Sequence, residues 1–290
     1  SLVALLNPSL FANIYTYLDK EMLTRGPSAG QGFGVLSQIE SAAVSLYIQN
    51  LTSGSKPRLQ VGVAEELEAA CSTAFEMIRQ DHLHPGHAVK VSPQEWRENA
   101  DIVCEAIVEK TIREGNLNPE KTTIAISLRS GLALAAAFAR RGFHNFVYVD
   151  VERREADAAA EIHQKTSSVS IPADHDVVCP DPMLATGGSM AETLTQVGIP
   201  PGDRRRIIAV SVISAPEGHF HLARKFPGMQ FFTAAVDRCL NEAAFICDGL
   251  SDFGNNYFAD AVDEILEGMI TEWKSIGLLV RADDETMLRK

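Results

Sequence analysis

The sequence lacks the marks of a disulfide-rich or membrane-spanning protein. Its five cysteines are scattered and odd in number, and none belongs to a Cys-x-x-Cys pair, which argues against a disulfide framework and the common zinc motifs. The longest uninterrupted apolar run, residues 132–139, is far shorter than the roughly 20 residues that cross a bilayer. No basic-then-apolar leader opens the chain. We therefore predict a reduced, cytoplasmic protein without a membrane partner.

Basic residues are also in short supply, with 26 Lys and Arg against 38 Asp and Glu, a formal net charge of −12. This balance disfavours binding to nucleic acid, because such proteins neutralise phosphates with basic side chains. It does not exclude a small anionic ligand, because a concave group of backbone N–H groups can hold a phosphate on an acidic protein.

The residues that are present predict an α/β protein. At 290 residues and 46% hydrophobic composition, the chain can bury a large core without disulfide or metal support. Short β-branched or apolar runs alternate with helical patterns after residue 121, which is typical of a mostly parallel sheet flanked by helices. The predicted strands are 122–127, 146–151, 176–179, 206–213 and 229–236, and the helices between them are 132–141, 189–197 and 219–225.

Further helices are predicted on both sides of this region, at 10–23, 36–51, 64–79, 93–114 and 258–279. The helix at 93–114 has the clearest start, with Ser92 as N-cap, Pro93 in the first turn and Glu95 completing a capping box. Gly115 is expected just beyond its end. The apolar faces of the helices at 64–79 and 258–279 indicate either a homo-oligomer, a dimer or more, or a layer of helices that caps the core.

The most informative segment is 177–189, where a predicted buried strand ends at Asp181 and a helix begins near Ser189. Between them, Gly187 and Gly188 allow a ligand to approach the backbone closely. The N–H groups there, with the Thr186 hydroxyl and the helix N-terminus, can hold a phosphate. The alternative is an ordinary glycine-rich turn. We expect Gly187→Val to block a phosphate while leaving the fold intact.

This segment resembles a known signature. Residues 181–189 resemble the phosphoribosyl-pyrophosphate motif of uracil phosphoribosyltransferases, and Leu128-Arg-Ser-Gly131 resembles the family's Leu-Arg-Ala-Gly loop. Residues 215–218 resemble the family's loop after the next strand, and residues 233–241 and 246–258 resemble its uracil-binding hood; we call the second of these two segments, 246–258, the hood. The resemblance implies the type I phosphoribosyltransferase fold over 122–258, as an α/β core with this hood. A helical N-terminal extension and arm (1–121) and a C-terminal helix and tail (259–290) would flank it, with no family counterpart evident for 54–118.

The resemblance also implies the ligand contacts. Arg129 would bind the pyrophosphate, and Arg153 falls near the family's second pyrophosphate arginine, although Arg154 or a solvated charge run remain alternatives. Asp181 would bind the ribose hydroxyls, and Asp252 would reach the ligand or its Mg²⁺ and is the nearest candidate for a catalytic base. Magnesium would be bound mainly through the pyrophosphate, with no metal site of the protein's own. The phosphoribosyl pyrophosphate contacts would come from Asp181, Pro182, Met183, Leu184, Ala185, Thr186, Gly187, Gly188 and Ser189.

The hood departs from the family pattern. The base would be bound by main-chain groups of Ile246, Ser251 and Phe253, together with Asp252. The family's Pro and Gly become Asp248 and Ser251, and its ion-capable pair becomes Asn255 and Asn256; Ser130 also replaces an alanine.

Three functions follow from these observations. The first is pyrimidine salvage, in which phosphoribosyl pyrophosphate and uracil give UMP and pyrophosphate. The second is the same chemistry on another heterocycle. The third is a non-catalytic regulator that senses phosphoribosyl pyrophosphate, against which the acidic balance argues.

Other residues are expected to be structural. His82, His84 and His87 are expected in a polar loop rather than at a metal, and Met77, Met183 and Met229 in the core. Glu217 is expected to cap the helix that follows it.

Overall fold

The structure is a computed structural model that describes residues 59–83, 91–153, 160–164, 171–237, 240–241, 244–246, 249–250, 252–258 and 263–278. The helices predicted at 10–23 and 36–51 lie outside these residues, as do the acidic and basic residues after 278. Among the described helices, none combines the length and apolar character that a membrane span requires.

A mostly parallel sheet forms the centre of the molecule, as predicted. Its order is β1-β8-β7-β5-β2-β3-β4, with β6 added to β7, and every pairing is parallel except that of β3 with β4. The eight strands are β1 (Leu59–Val61), β2 (Thr122–Leu128), β3 (Phe146–Arg153), β4 (Ala160–Gln164), β5 (Asp176–Pro180), β6 (Met183–Leu184), β7 (Ile207–Ser214) and β8 (Gln230–Val236).

The five predicted strands are confirmed, with ends that differ by one or two residues. The sequence did not indicate β1, β4 or β6, which have three, five and two residues. Segments this short show too few alternations of apolar and polar side chains to be recognised, and pairing with longer neighbours stabilises them.

Seven α-helices accompany the sheet in the described part of the chain. They are α1 (Glu68–Leu83), α2 (Pro93–Gly115), α3 (Leu132–Ala139), α4 (Gly188–Gln196), α5 (Pro216–Lys225), α6 (Phe253–Phe258) and α7 (Asp263–Ser275). The helix predicted from 64 starts later, because Glu65–Leu67 form a 3₁₀ turn. Of the helix predicted at 258–279, the structure describes α7 over Asp263–Ser275; Phe258 is the last described residue of α6, and residues 259–262 lie outside the described part of the chain.

The predicted start of α2 is confirmed. The Ser92 hydroxyl oxygen accepts from the backbone N–H of Glu95 at 3.2 Å, and the Glu95 carboxylate accepts from the backbone N–H of Ser92 at 2.9 Å. Its predicted end was wrong: Gly115 is the last helical residue, and Asn116 adopts the left-handed conformation, with φ 48°. Asparagine tolerates this conformation better than most residues with a side chain, so it can end a helix in place of glycine.

Alternate residues of each central strand face two separate cores. Ile208 and Val210 of β7 pack with α1, α2, α3 and α7 on one side, whereas Ile207 and Ala209 pack with α4 and α5 on the other. Such continuous apolar strands are typical of parallel sheets covered on both faces. The parallel strands also share one carboxyl edge, where ligands bind in sheets of this kind.

Candidate functional site

The loop after β5 places a buried acid at the carboxyl edge of the sheet. Asp181 is 8% exposed, and its backbone N–H donates to the carbonyl of Val210 at 2.9 Å. Its Oδ1 accepts from the backbone N–H of Met183 at 3.4 Å and from the Ser130 hydroxyl at 3.5 Å. The carboxylate is therefore held in place from two loops.

The glycines in the loops after β6 and β7 are tightly packed. A Cβ on Gly187, whose φ is +76°, would lie 2.9 Å from Cγ of Leu222, and one on Gly218 would lie 2.4 Å from the carbonyl oxygen of Ala185. A side chain at Gly187 is therefore strained and sterically excluded at once. The expectation that Gly187→Val leaves the fold intact was wrong.

Gly188 and Ser189 are partly exposed at the start of α4. The backbone N–H of Gly188 donates to the Thr186 hydroxyl oxygen at 3.2 Å, which leaves the hydroxyl proton able to face a ligand. A Cβ on Gly188 would contact only this hydroxyl, at 3.4 Å. The arrangement combines backbone N–H groups, hydroxyls and a helix N-terminus, and it can bind a phosphate.

The loop after β2 presents a cation at the same edge. Arg129 is exposed, and its guanidinium carbon lies 5.3 Å from the centre of the Phe258 ring. Gly131 anchors this loop, because a Cβ there would lie 2.7 Å from the carbonyl oxygen of Ser127. Arg153 is the last residue of β3, but its side chain lies outside what the structure describes, as does Arg154.

The first part of the hood (residues 246–258) packs against the β5 loop. Ile246 is buried and pairs with Leu240, and the backbone N–H of Gly249 donates to the carbonyl of Ile246 at 3.2 Å. The Cβ position of Gly249 lies 3.5 Å from Cε of Met183. Asp248 and Ser251 lie outside the described residues.

Asp252 caps α6, and the two asparagines of the hood stabilise this turn. Its Oδ1 accepts from the backbone N–H of Asn255 at 2.8 Å, and its Oδ2 accepts from the Asn255 side-chain amide at 3.1 Å. The Asn256 amide donates to the carbonyl of Leu250 at 3.4 Å. Two amide contacts therefore take the place of the ion-capable pair. That Asp252 also acts as a base or ligand remains a prediction.

The predicted loops meet around Ser130. Its Cβ lies 3.8 Å from the Cβ position of Gly254 in the hood, and its hydroxyl reaches Asp181 in the β5 loop. Arg129, Asp181, the 186–189 turn, Ile246, Asp252 and Phe253 thus share one edge of the sheet, although their contacts with a ligand remain predictions.

Two contacts at this edge escaped the sequence analysis. The prediction that Glu217 caps α5 was wrong, because its Oε1 accepts from the backbone N–H of Leu240 at 3.0 Å and so ties α5 to the segment before the hood. Arg79 of α1 pairs with Asp237 just after β8, at 2.5 Å, and both are buried. A lone acid directly after a buried strand was the available signal for the second contact.

The remaining candidates are structural. Met229 is buried, and Met77 and Met183 pack partly buried against the core, as predicted. The expectation of a polar loop was wrong for His82, which lies in α1, whereas His84 and His87 lie outside the described residues. The described residues contain no group of three or more His, Cys, Asp or Glu that could hold a metal. Burial raises the pKa of Cys71 to about 11 and those of Cys104 and Cys179 well above their usual value, so these thiols are not nucleophile candidates.

Comparison with known proteins gives a consistent family. The family model for uracil phosphoribosyltransferase matches residues 98–259. The uracil phosphoribosyltransferase of Pyrobaculum arsenaticum is 35% identical over 136 residues, 47% of this chain and 62% of that protein. The enzyme of the same name from Thermococcus gammatolerans is 31% identical over 161 residues, 54% of this chain and 70% of that protein.

The extent of these similarities is given by the coverage of the relatives and by the likeness to solved structures. The chain spans less than two thirds of the length of some relatives, 62% for Pyrobaculum arsenaticum and 57% for Thermococcus kodakarensis. Among solved structures, the AQ2163 protein of Aquifex aeolicus has a TM-score of 0.55 at 21% identity, covering 70% of this chain and 99% of its own, and supports the fold alone. The family match starts at residue 98 and so includes most of α2, which the sequence had placed in the N-terminal extension. Because the match covers more than half of the chain, this protein belongs to the uracil phosphoribosyltransferase family.

Proposed function

We propose that this protein transfers the 5-phosphoribosyl group of phosphoribosyl pyrophosphate to a ring nitrogen of a uracil-like base, giving UMP and pyrophosphate. One observation carries the proposal: the buried Asp181, the glycine-rich start of α4 and Arg129 lie at one edge of the sheet. They offer acceptors for ribose hydroxyls, donors for a 5′-phosphate and a cation for pyrophosphate, which are the three polar parts of this ligand.

In this reaction the protein would mainly position the two substrates and stabilise the charge that develops in the transition state. The bond from ribose C1 to the pyrophosphate oxygen breaks as the bond to the base nitrogen forms, through a transition state with oxocarbenium character. We propose that Arg129 stabilises the leaving pyrophosphate, because a guanidinium donates two parallel hydrogen bonds to a phosphate. Asp181 would orient the ribose from the other side.

Magnesium would accompany phosphoribosyl pyrophosphate rather than occupy a site of the protein's own. The described residues offer no cluster of three metal-binding side chains, so Asp252 would reach the ion or the ligand as a single carboxylate. The pyrophosphate would thus supply most of the ligands. When bound, the ion neutralises charge on the leaving group.

Main-chain groups of Ile246, Ser251 and Phe253, with Asp252, would recognise the base. Backbone N–H and C=O groups suit uracil, whose edge alternates carbonyl and N–H, and a wrong edge leaves buried polar groups unpaired. The second candidate is another heterocycle with the same chemistry, favoured by the departures of the hood from the family pattern at Asp248, Ser251, Asn255 and Asn256.

A panel of bases with phosphoribosyl pyrophosphate and Mg²⁺, followed by pyrophosphate release, tests the proposal. We expect uracil to give the highest kcat/KM. Efficient release with another base and not with uracil would establish the second candidate. Binding of phosphoribosyl pyrophosphate without release for any base would favour the regulator. A homo-oligomer and a cytoplasmic location complete the proposal, and light scattering tests the former.

A further inference from the structure

An aromatic stack joins the hood to α2. The Phe253 ring stacks on Tyr257, with ring centres 5.6 Å apart and planes at 12°, and its other neighbour is the edge of Trp96 at 5.1 Å. Trp96 belongs to α2 and is fixed in turn, because its Nε1–H donates to the carbonyl of Ile78 in α1 at 3.2 Å. Phe253 is therefore positioned by residues far from the ligand loops in sequence.

A single strong hydrogen bond orients this stack. The Tyr257 hydroxyl donates to Oδ1 of Asp101 in α2 at 2.6 Å, and Tyr257 is only 2% exposed. A hydrogen bond from a hydroxyl to a carboxylate at this length is stronger than one between neutral groups. It fixes how far α6 stands from α2, and α6 begins at the Asp252–Phe253 backbone.

We propose that Asp101 and Tyr257 are positioning residues for base binding, acting through Phe253 on the backbone that frames the base. The inference rests on the proposed function, and no ligand contact is assigned to either side chain. The α2 helix would thus determine the affinity for the base, while the loops after β2 and β5 determine that for phosphoribosyl pyrophosphate.

The surroundings of Asp101 make the contact sensitive to pH. Asp101 lines a cavity of about 450 Å³ between α2, α6 and α7. Burial raises the pKa of its carboxyl to about 6. The Tyr257 hydrogen bond and the charge of Arg140 lower this pKa, whereas the charges of Glu272 and Glu105 raise it. Tyr257 belongs to α6, Arg140 directly follows α3, Glu272 belongs to α7 and Glu105 to α2. Arg97 and Glu98 of α2 also line the cavity. Above about pH 6 the ionised carboxylate accepts strongly, and below it the protonated acid accepts weakly. We therefore expect the KM for the base to rise as the pH falls through this range.

Conservative variants separate positioning from general stability. Tyr257→Phe removes the hydroxyl and keeps the ring, whereas Asp101→Asn keeps an acceptor for it. Tyr148→Phe is the matched control, because the buried Tyr148 hydroxyl also donates a hydrogen bond, to the carbonyl of Leu278, which belongs neither to α2 nor to the hood. Steady-state kinetics with uracil, and hydrogen exchange of the 249–258 backbone, are measured for all three.

We expect Tyr257→Phe to raise the KM for uracil about three- to tenfold, with that for phosphoribosyl pyrophosphate changed by less than about twofold. Exchange at 249–258 should accelerate in this variant alone. Asp101→Asn keeps only a neutral acceptor, so it should raise the KM for uracil near pH 8 by less than Tyr257→Phe does, and this KM should no longer change as the pH falls. Equal changes in both KM values, an unchanged KM with unchanged exchange, or the same effect from Tyr148→Phe would overturn the inference. Absence of turnover with uracil would instead contradict the proposed function, and the exchange comparison would still decide whether the pair holds the hood.

Discussion

The two halves of the site are held in place by different means. The phosphate half, residues 128–131 and 181–189, is fixed by sheet pairing and by glycines at 131 and 187 that leave no room for a Cβ. The hood is fixed by side-chain hydrogen bonds, from Asn255 to Asp252 and from Asn256 to Leu250. The phosphate half follows the family pattern closely, and the hood departs from it. Backbone packing tolerates few substitutions, whereas a side-chain contact can be replaced by another, which is consistent with most of this chain's departures from the family pattern lying in the hood.

The largest effect is expected at Gly188, which tests the phosphate half directly. Gly188→Val adds bulk where only the Thr186 hydroxyl is near, so the fold should remain while the phosphate loses its close approach. Loss of two or more charge-assisted hydrogen bonds, about 1.5–3 kcal/mol each, weakens phosphoribosyl pyrophosphate roughly a hundredfold or more. Calorimetry measures the affinity, with Gly268→Val in α7 as control because nothing lies near its Cβ position. An unchanged affinity would assign the phosphate to another loop.

Arg129 comes next. Arg129→Ala should lower kcat/KM by about one to two decades, because it removes charge-assisted bonds worth about 1.5–3 kcal/mol. Arg129→Lys should retain only part of the kcat/KM that the alanine variant loses, since an ammonium lacks the planar pair of donors. Near-normal turnover in the alanine variant would move the role elsewhere, first to Arg153.

A gain of function is expected in the hood. Asp248→Pro with Ser251→Gly restores the family residues, and with them the stiffness of a fixed φ and the freedom of glycine. We expect kcat/KM for uracil to rise about threefold, measured beside the unmodified protein. If the unmodified protein already uses uracil efficiently and the double variant gains nothing, the substitutions are neutral and the second candidate function loses support.

The smallest effect on activity is expected at His219 in α5, beneath the phosphate half. Its ring is fully buried and stacks on Phe231 at 4.9 Å, and neither nitrogen has a hydrogen-bond partner among the described residues. Burial lowers its pKa to about 3, so the unfolded chain binds a proton there more readily than the folded one. Stability should therefore fall as the pH drops from about 6.5 towards 3.

His219→Phe should remove this part of the acid destabilisation, a few kcal/mol at most, and leave the affinity for phosphoribosyl pyrophosphate unchanged. Urea unfolding at several pH values measures the first and calorimetry the second. Identical acid profiles in the two proteins would show that other groups cause the destabilisation.

The sequence predicted the phosphate half better than the hood. The phosphate site in segment 177–189 could be predicted because its strand, acid, two glycines and helix start are consecutive in sequence. The support behind the hood could not be foreseen, since Asp101 and Tyr257 are 156 positions apart and each is an ordinary residue of its own helix. Glu217 was misassigned for a related reason: an acid in a first turn usually caps its helix, and only the tertiary structure brings Leu240 within its reach.

The buried pair of Arg79 and Asp237 determines how far the chain can be shortened. The family match begins at residue 98, yet Asp237 is fully buried beside a guanidinium from α1, and Phe231–Thr233 of β8 pair with the three residues of β1. A fragment trimmed to the matched region would keep the carboxylate and lose this cation, and removing one partner of a buried pair typically costs about 3–5 kcal/mol. It would also expose β8 as a new sheet edge, on which other chains can pair. The smallest soluble unit therefore begins at or before β1, some forty residues upstream of the match.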